Sequence, residues 1–438
     1  MCRESARVRA SILVGIAVVS GAALPVAAAD VETPSAAGLP IAAPEDVGMS
    51  SERLDRLGSA MQAYIDRNQV AGTVTLIARK GKVVHLEARG NRYSEGGEEM
   101  TADTIFRIAS MTKPIASAAL MILWEEGHFQ LRDPISKWLP EFAEMRVAVV
   151  PDDDEYLGQP YKTVEALRPI TVQHALTHTA GFPNSYRGPT RGLYTSSRAG
   201  RQPGGTVQDT LVDLAKMPLN FHPGEGWQYG PGVDVAGVLV EKISGQTLDA
   251  FLRERVFGPL RMKDTHFYLP QEKLDRFAAL YKPGEDGAIE LTEAPTAESR
   301  YVREPHTYFS GSGGLVSTAA DYVRFQQMML NGGELDGARI LSRKTVELMT
   351  HNHIGDLGVW LRGPGYGFGI GYSVVTDVGQ SAMPTSLGSY AWGGAFCTVF
   401  WVDPVEEVIG VLMTQVRPYT HLNIRQDLTT LTYQAIVD

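Results

Sequence analysis

Apolar and polar positions follow two different periods along this chain. From Ser50-Ser51-Glu52 to about Asn68, Leu54, Leu57, Met61 and Tyr64 recur at helical spacing, which predicts an amphipathic helix. Thr73 to Ala88 reads instead as two Val/Ile/Leu-rich arms around Lys80-Gly81-Lys82, a β-hairpin. The hairpin signal returns near the C-terminus, where Phe396–Val402 and Val408–Gln415 flank Asp403-Pro404-Val405-Glu406. A last helix is predicted over about Asn423–Val437. Between Ser110 and Met349 the pattern is mostly helical, with segments at Met111–Glu126, Thr206–Lys216, Val233–Ile243 and Ala319–Leu330 separated by long Gly- and Pro-rich loops. Strand signals at both ends with helices between them predict an α+β fold. Its antiparallel sheet would come from both chain ends (about residues 44–110 and 340–438), flanked by helices, with a helical insert over about 111–339.

The N-terminus has a pattern of its own. Arg3, Arg7 and Arg9 precede the apolar run Ala10–Ala23, Pro25 breaks it, and Ala27-Ala28-Ala29 offers small residues before Asp30. This reads as a secretory signal over residues 1–29, with a single domain over 30–438 and an exported, periplasmic destination. No later stretch is long and apolar enough to span a bilayer.

Composition narrows the function classes. The 438 residues are 44% hydrophobic and 21% charged, which is globular, and the net charge is −10 without any Lys/Arg run, so no nucleic-acid partner is expected. The acidic stretch Pro151–Val164 reads as solvated surface and lacks the spaced oxygen ligands of a Ca²⁺ loop. With Cys2 inside the removed segment, Cys397 alone cannot form an internal disulfide, and its apolar surroundings predict a buried, inert thiol.

The strongest chemical signal is Ser110-Met111-Thr112-Lys113 at the start of a helical segment. Three residues apart on a helix, the serine and lysine share one face. Ser110 would sit where free N–H groups favour negative charge, and a buried lysine can serve as base for its hydroxyl. Alone, this tetrapeptide is also what a helix-capping serine and a surface lysine would look like. No Gly-x-Ser-x-Gly occurs, so a nucleophile elbow is not supported. His174 and His178 are four apart without the glutamate of a zinc helix, and His351 and His353 are expected in an exposed loop; no metal or cofactor is implied. Gly311-Ser312-Gly313-Gly314 reads as a tight turn before a helix.

Further stretches follow in order: Leu176-Thr-His-Thr-Ala-Gly-Phe182, Pro223-Gly-Glu-Gly-Trp-Gln-Tyr229, Gly313-Gly-Leu-Val-Ser-Thr318 and Trp392-Gly393-Gly394. With Ser110–Lys113, this set resembles the serine β-lactamase-related superfamily, and within it the class C β-lactamase-like esterases known as family VIII carboxylesterases. The resemblance runs from about Pro44 to the C-terminus. It implies a β-lactamase/transpeptidase-like fold, acylation of Ser110, Lys113 and Tyr229 as its proton-transfer partners, and an oxyanion hole from the backbone N–H groups of Ser110 and Ala395. It also places Trp392, Gly393 and Gly394 at the substrate.

Two departures bear on the substrate. The run after the tyrosine is Gly230-Pro231, and Pro231 has no hydrogen to donate to a β-lactam amide. Trp392 stands where lactamases and peptidases carry a cation for the substrate carboxylate, and Arg417, just past the last strand, is expected at the surface. Both departures point to neutral, small-molecule esters. A β-lactamase or D-Ala-D-Ala carboxypeptidase, an acyltransferase using the same acyl-enzyme, and a silent binder on the same fold are the alternatives. The formal base, Lys113 or Tyr229, stays open, since coupled groups titrate together. Substrate choice is expected in the loops Pro183–Gly205 and Glu285–Tyr308, and the sequence sets no oligomeric state.

Overall fold

The computed structural model describes Met1 and residues 38–150, 161–196, 204–285 and 287–438. The predicted signal segment, the acidic residues 151–160 and residues 197–203 of the first substrate loop lie outside the described residues.

The helix predicted from Ser51 forms as α1 (Ser51–Asp66), with Ser50 Oγ accepting from the Arg53 N–H at 3.3 Å and Leu54, Leu57, Met61 and Tyr64 buried. The first hairpin forms as β1 (Gly72–Arg79) and β2 (Lys82–Tyr93). Lys80 and Gly81 both take positive φ, +52° and +76°, the two-residue turn whose twist matches the strands. β3 (Glu98–Glu99) extends this edge.

The C-terminal segment supplies β4 (Tyr366–Phe368), β5 (Ser373–Val375), β6 (Tyr390–Gly393), β7 (Val399–Asp403) and β8 (Val408–Met413). All eight strands form one sheet in the order β4-β5-β6-β7-β8-β1-β2-β3, every named pairing antiparallel. The two chain ends meet where β1 pairs with β8, from Val74 opposite Met413 to Arg79 opposite Val408.

Alternation along the central strands sorts side chains onto two faces. Val74, Leu76, Phe400, Val402, Ile409, Val411 and Met413 face the larger core, shared with α2 (Thr112–Glu125), α3 (Gly232–Ser244) and α4 (Ala319–Leu330). Ile77, Val399, Trp401, Val408 and Leu412 face α1 and α5 (Ile424–Tyr433). Every residue of α2 from Thr112 to Leu123 is buried, so this helix runs through the core rather than over it.

The middle region differs from its reading in one respect. It also carries short antiparallel pairs, Arg146–Val149 with Lys162–Glu165 and Leu280–Pro283 with Ile289–Glu293. Runs this short hold too few residues for a strand period to stand out beside the helices. The two residues Phe106–Arg107 pair with Val316–Ser317, which ties the chain before Ser110 to the segment before α4.

Candidate active site

Ser110 lies in a 3₁₀ turn, Ala109–Met111, that runs directly into α2. Ala109 takes φ +44°, left-handed backbone for a residue with a Cβ, a conformation held only where the surroundings enforce it. They do so from two sides. The Ile108 N–H donates to the Leu315 carbonyl at 3.1 Å, and Thr112 Oγ1 accepts from the Leu315 N–H at 3.1 Å.

Lys113 is 3% exposed, and its Nζ lies 3.3 Å from Ser110 Oγ and 2.7 Å from the Ser312 carbonyl oxygen. That carbonyl belongs to the predicted glycine-rich turn, which forms over residues 311–313. Asp234, in the first turn of α3, holds the turn by accepting from Ser310 Oγ at 2.7 Å and from the Ser312 N–H at 2.9 Å.

Tyr229 Oη lies 2.6 Å from Ser110 Oγ, and Lys113 Nζ sits 4.6 Å from the centroid of the Tyr229 ring. The structure thus brings Ser110, Lys113 and Tyr229 to one point. The tyrosine is held by the Leu176–Phe182 stretch and the residues just after it: the Gln228 N–H donates to the His178 carbonyl at 2.9 Å, and Asn184 Nδ2 donates to the Tyr229 carbonyl at 2.6 Å.

His178 is buried at φ +60°, with its ring centroid 4.8 Å from that of Tyr229, and neither ring nitrogen has a partner among the described residues. Burial, and then the charge of Lys113, hold this imidazole well below the usual histidine range, so it is neutral. His174 instead caps its own short helix through Thr171. Among the described residues no group of three or more metal-ligating side chains occurs.

The other side of the site is the end of β6. Trp392 is buried, and its indole Nε1–H donates to Tyr229 Oη at 3.3 Å. A Cβ on Gly394 would collide with the Ile108 carbonyl oxygen and Thr398 Oγ1, and one on Gly393 would fall 3.0 Å from Arg425 Nη1. The glycines therefore let the strand end pack against the residues just before Ser110 and against Arg425. Ala395 follows in the β6–β7 turn, and its N–H has no partner among the described residues.

One expectation is corrected here. His353 is half-buried rather than exposed, because Gln173 Nε2 at 3.0 Å and the Leu348 carbonyl at 2.7 Å satisfy its ring. Arg417 is exposed, as expected, with its guanidinium 6.0 Å from the Phe396 ring, and the guanidinium at the end of β6 is that of Arg425. Cys397 is fully buried with its thiol pushed up to about 11 by desolvation, as an inert thiol requires. Sequence reasoning missed the supporting roles of Asp234, Ser312, Asn184 and Arg425. Of these only Arg425 carried a signal, a cation in the first turn of a helix, where the dipole disfavours it.

The geometry has counterparts in known proteins. The beta-lactamase family model matches residues 57–432. Esterase EstB of Burkholderia gladioli is 33% identical over 377 residues, covering 82% of this chain and 89% of that protein. Protein Rv1367c of Mycobacterium tuberculosis is 36% identical over 381 residues, covering 83% and 90%. The solved structure of EstCE1, described as a hydrolase with promiscuous acyltransferase activity, superposes with a TM-score of 0.73 at 27% identity, covering 87% of this chain and 99% of that one. The fold is the β-lactamase/transpeptidase-like fold, and the chain belongs to the beta-lactamase family, in its class C-like esterase branch.

Proposed function

We propose that the protein is a serine hydrolase of small, neutral carboxylic esters that works through an acyl-enzyme on Ser110. The observation that carries the reading is Tyr229 Oη at 2.6 Å from Ser110 Oγ, with the buried Lys113 Nζ at 3.3 Å from the same oxygen. Lys113 and Tyr229 together take the Ser110 proton as Oγ attacks the ester carbonyl. The backbone N–H groups of Ser110 and Ala395 receive the charge that develops on the carbonyl oxygen. Collapse of the tetrahedral intermediate breaks the C–O bond to the alcohol, whose oxygen takes a proton from Tyr229. Water then attacks the acyl carbon, the same pair accepts its proton, and Ser110 leaves with its hydroxyl restored. An alcohol in place of water would make the step an acyl transfer, the second activity named for EstCE1.

The test uses p-nitrophenyl butyrate and nitrocefin, with Ser110→Ala beside the wild type. Ester turnover is expected, falling at least ~10⁴-fold in the variant, with little nitrocefin cleavage. Ester turnover that survives Ser110→Ala, or strong nitrocefin cleavage with weak ester cleavage, overturns the reading.

Export to the periplasm is part of the proposal. It is supported by the order of Arg3, Arg7 and Arg9, the apolar run Ala10–Ala23 and the small residues before Asp30. No described helix is long and apolar enough to cross a membrane. Protein recovered by osmotic shock should begin at Asp30; an intact Met1 in protein that stays inside spheroplasts counts against export.

A further inference from the structure

The turn that carries Ala395 is gripped by one guanidinium. Arg425 sits at the second position of α5, and its fork faces back toward the end of β6. Nη2 donates to the Gly394 carbonyl and, at 2.8 Å, to the Thr398 carbonyl, while Nε donates to the Cys397 carbonyl at 3.4 Å. Nη1 donates to Tyr419 Oη at 2.7 Å, and the guanidinium carbon lies 3.9 Å from the Tyr419 ring centroid. Gly393 leaves the space that the guanidinium fills. Among the described residues Arg425 forms no ion pair. Its charge falls instead on three carbonyls of one turn, from a helix start that opposes a cation.

The Gly394 carbonyl and the Ala395 N–H belong to the same peptide unit. In a trans peptide the two point in opposite directions, so a donor fixed on the oxygen fixes where the N–H aims. A cationic donor also polarises the unit and strengthens its N–H as a donor.

We propose that Arg425 is a positioning residue for acyl transfer, orienting and polarising the Gly394–Ala395 peptide so that the Ala395 N–H is held as an oxyanion donor. The inference rests on the ester-hydrolase reading given above. A lysine cannot reproduce the grip, because one ammonium nitrogen lacks the planar spread that reaches residues 394, 397 and 398 together.

The test compares wild type, Arg425→Lys, Arg425→Met and Tyr419→Phe, the last removing one acceptor while leaving the arginine. Turnover of p-nitrophenyl butyrate is measured with inhibition by butylboronic acid, which forms a tetrahedral adduct on a nucleophilic serine. For both Arg425 variants kcat is expected to fall ~10- to 100-fold with KM changed less than about threefold. The boronic acid constant should weaken by the same factor as kcat/KM, and Tyr419→Phe should lie between these variants and wild type. A purely structural role would lower the amount of active enzyme and leave boronic acid affinity of the remainder unchanged, a result that overturns the proposal. If Arg425→Met does not fold, Arg425→Lys and Tyr419→Phe carry the same comparison. Wild type that is active alongside variants with unchanged kcat and boronic acid affinity sinks the Arg425 role alone. Wild type that neither turns over ester nor binds the boronic acid sinks the hydrolase reading with it.

Discussion

Ser110, Lys113 and Tyr229 reach the site as side chains from the helical part of the chain, whereas the end of β6 reaches it as backbone. The first group is tied together by short contacts among its own members and by main-chain bonds to the residues around 178–184 and 310–315. The second depends on what is absent from Gly393 and Gly394 and on an arginine that is far away in sequence. Side-chain chemistry fails outright when one atom is deleted. A backbone donor cannot be deleted, only mispositioned, so its loss should be graded.

The largest break falls on the helical side. Lys113→Met keeps an unbranched buried chain but removes the amine beside Ser110 Oγ, and kcat is expected to fall ~10⁴-fold. Tyr229→Phe keeps the ring against His178 and removes only the hydroxyl, for an expected loss of ~10³-fold. Steady-state kinetics on p-nitrophenyl butyrate, with active-site titration, read both. On the sheet side, Gly394→Ala must push the turn away from the Ile108 carbonyl, and a displaced oxyanion donor should reduce kcat by ~10²-fold. Equal losses on the two sides would remove the distinction between deleted and displaced groups.

That distinction also decides what the sequence could reveal. Ser110, Lys113 and Tyr229 stand in motifs whose residue types announce their chemistry, and β1, β2, β7, β8 and α1 follow from uninterrupted apolar periods and a Lys-Gly turn. Strands β4 and β5 are three residues long and carry no readable period. Arg425 acts through carbonyl groups 27 to 31 positions away, and no residue type marks a carbonyl as special. Asp234 also works through backbone: it accepts from the Ser312 N–H, and the carbonyl oxygen of that same residue, in the next peptide, meets Lys113.

Acid should weaken the histidine-bearing parts of the fold. Burial lowers His85, His174, His178, His266 and His353 below the free histidine value, His266 to about 4. Below about pH 6.5 the unfolded chain binds protons that the folded chain refuses, so stability falls as pH drops, by up to ~1.4 kcal/mol per unit for each such group. Asp321, raised to about 6 by burial, has the opposite sign and offsets part of this between about pH 6 and 4. Urea melts between pH 7.5 and 5 are expected to lose about 1–3 kcal/mol in total. A flat profile would mean that these rings accept protons within the fold.

The smallest effect tests a side chain that reaches from the sheet to the helical side of the site. Trp392 is read from sequence as a wall of the substrate site, yet its indole N–H is aimed at Tyr229 Oη. These roles separate in Trp392→Phe, which keeps an aromatic ring near Tyr229 and Phe368, whose centroids lie 5.2 and 5.3 Å from that of Trp392. At 3.3 Å the hydrogen bond is long, so its loss should cost about 0.5–1.5 kcal/mol, a ~2- to 10-fold effect. If the N–H steadies the oxygen through proton transfer, that loss appears in kcat and leaves KM in place. If the ring instead binds the ester, KM rises and kcat holds, and the sheet side then meets the substrate with a side chain as well as with its backbone.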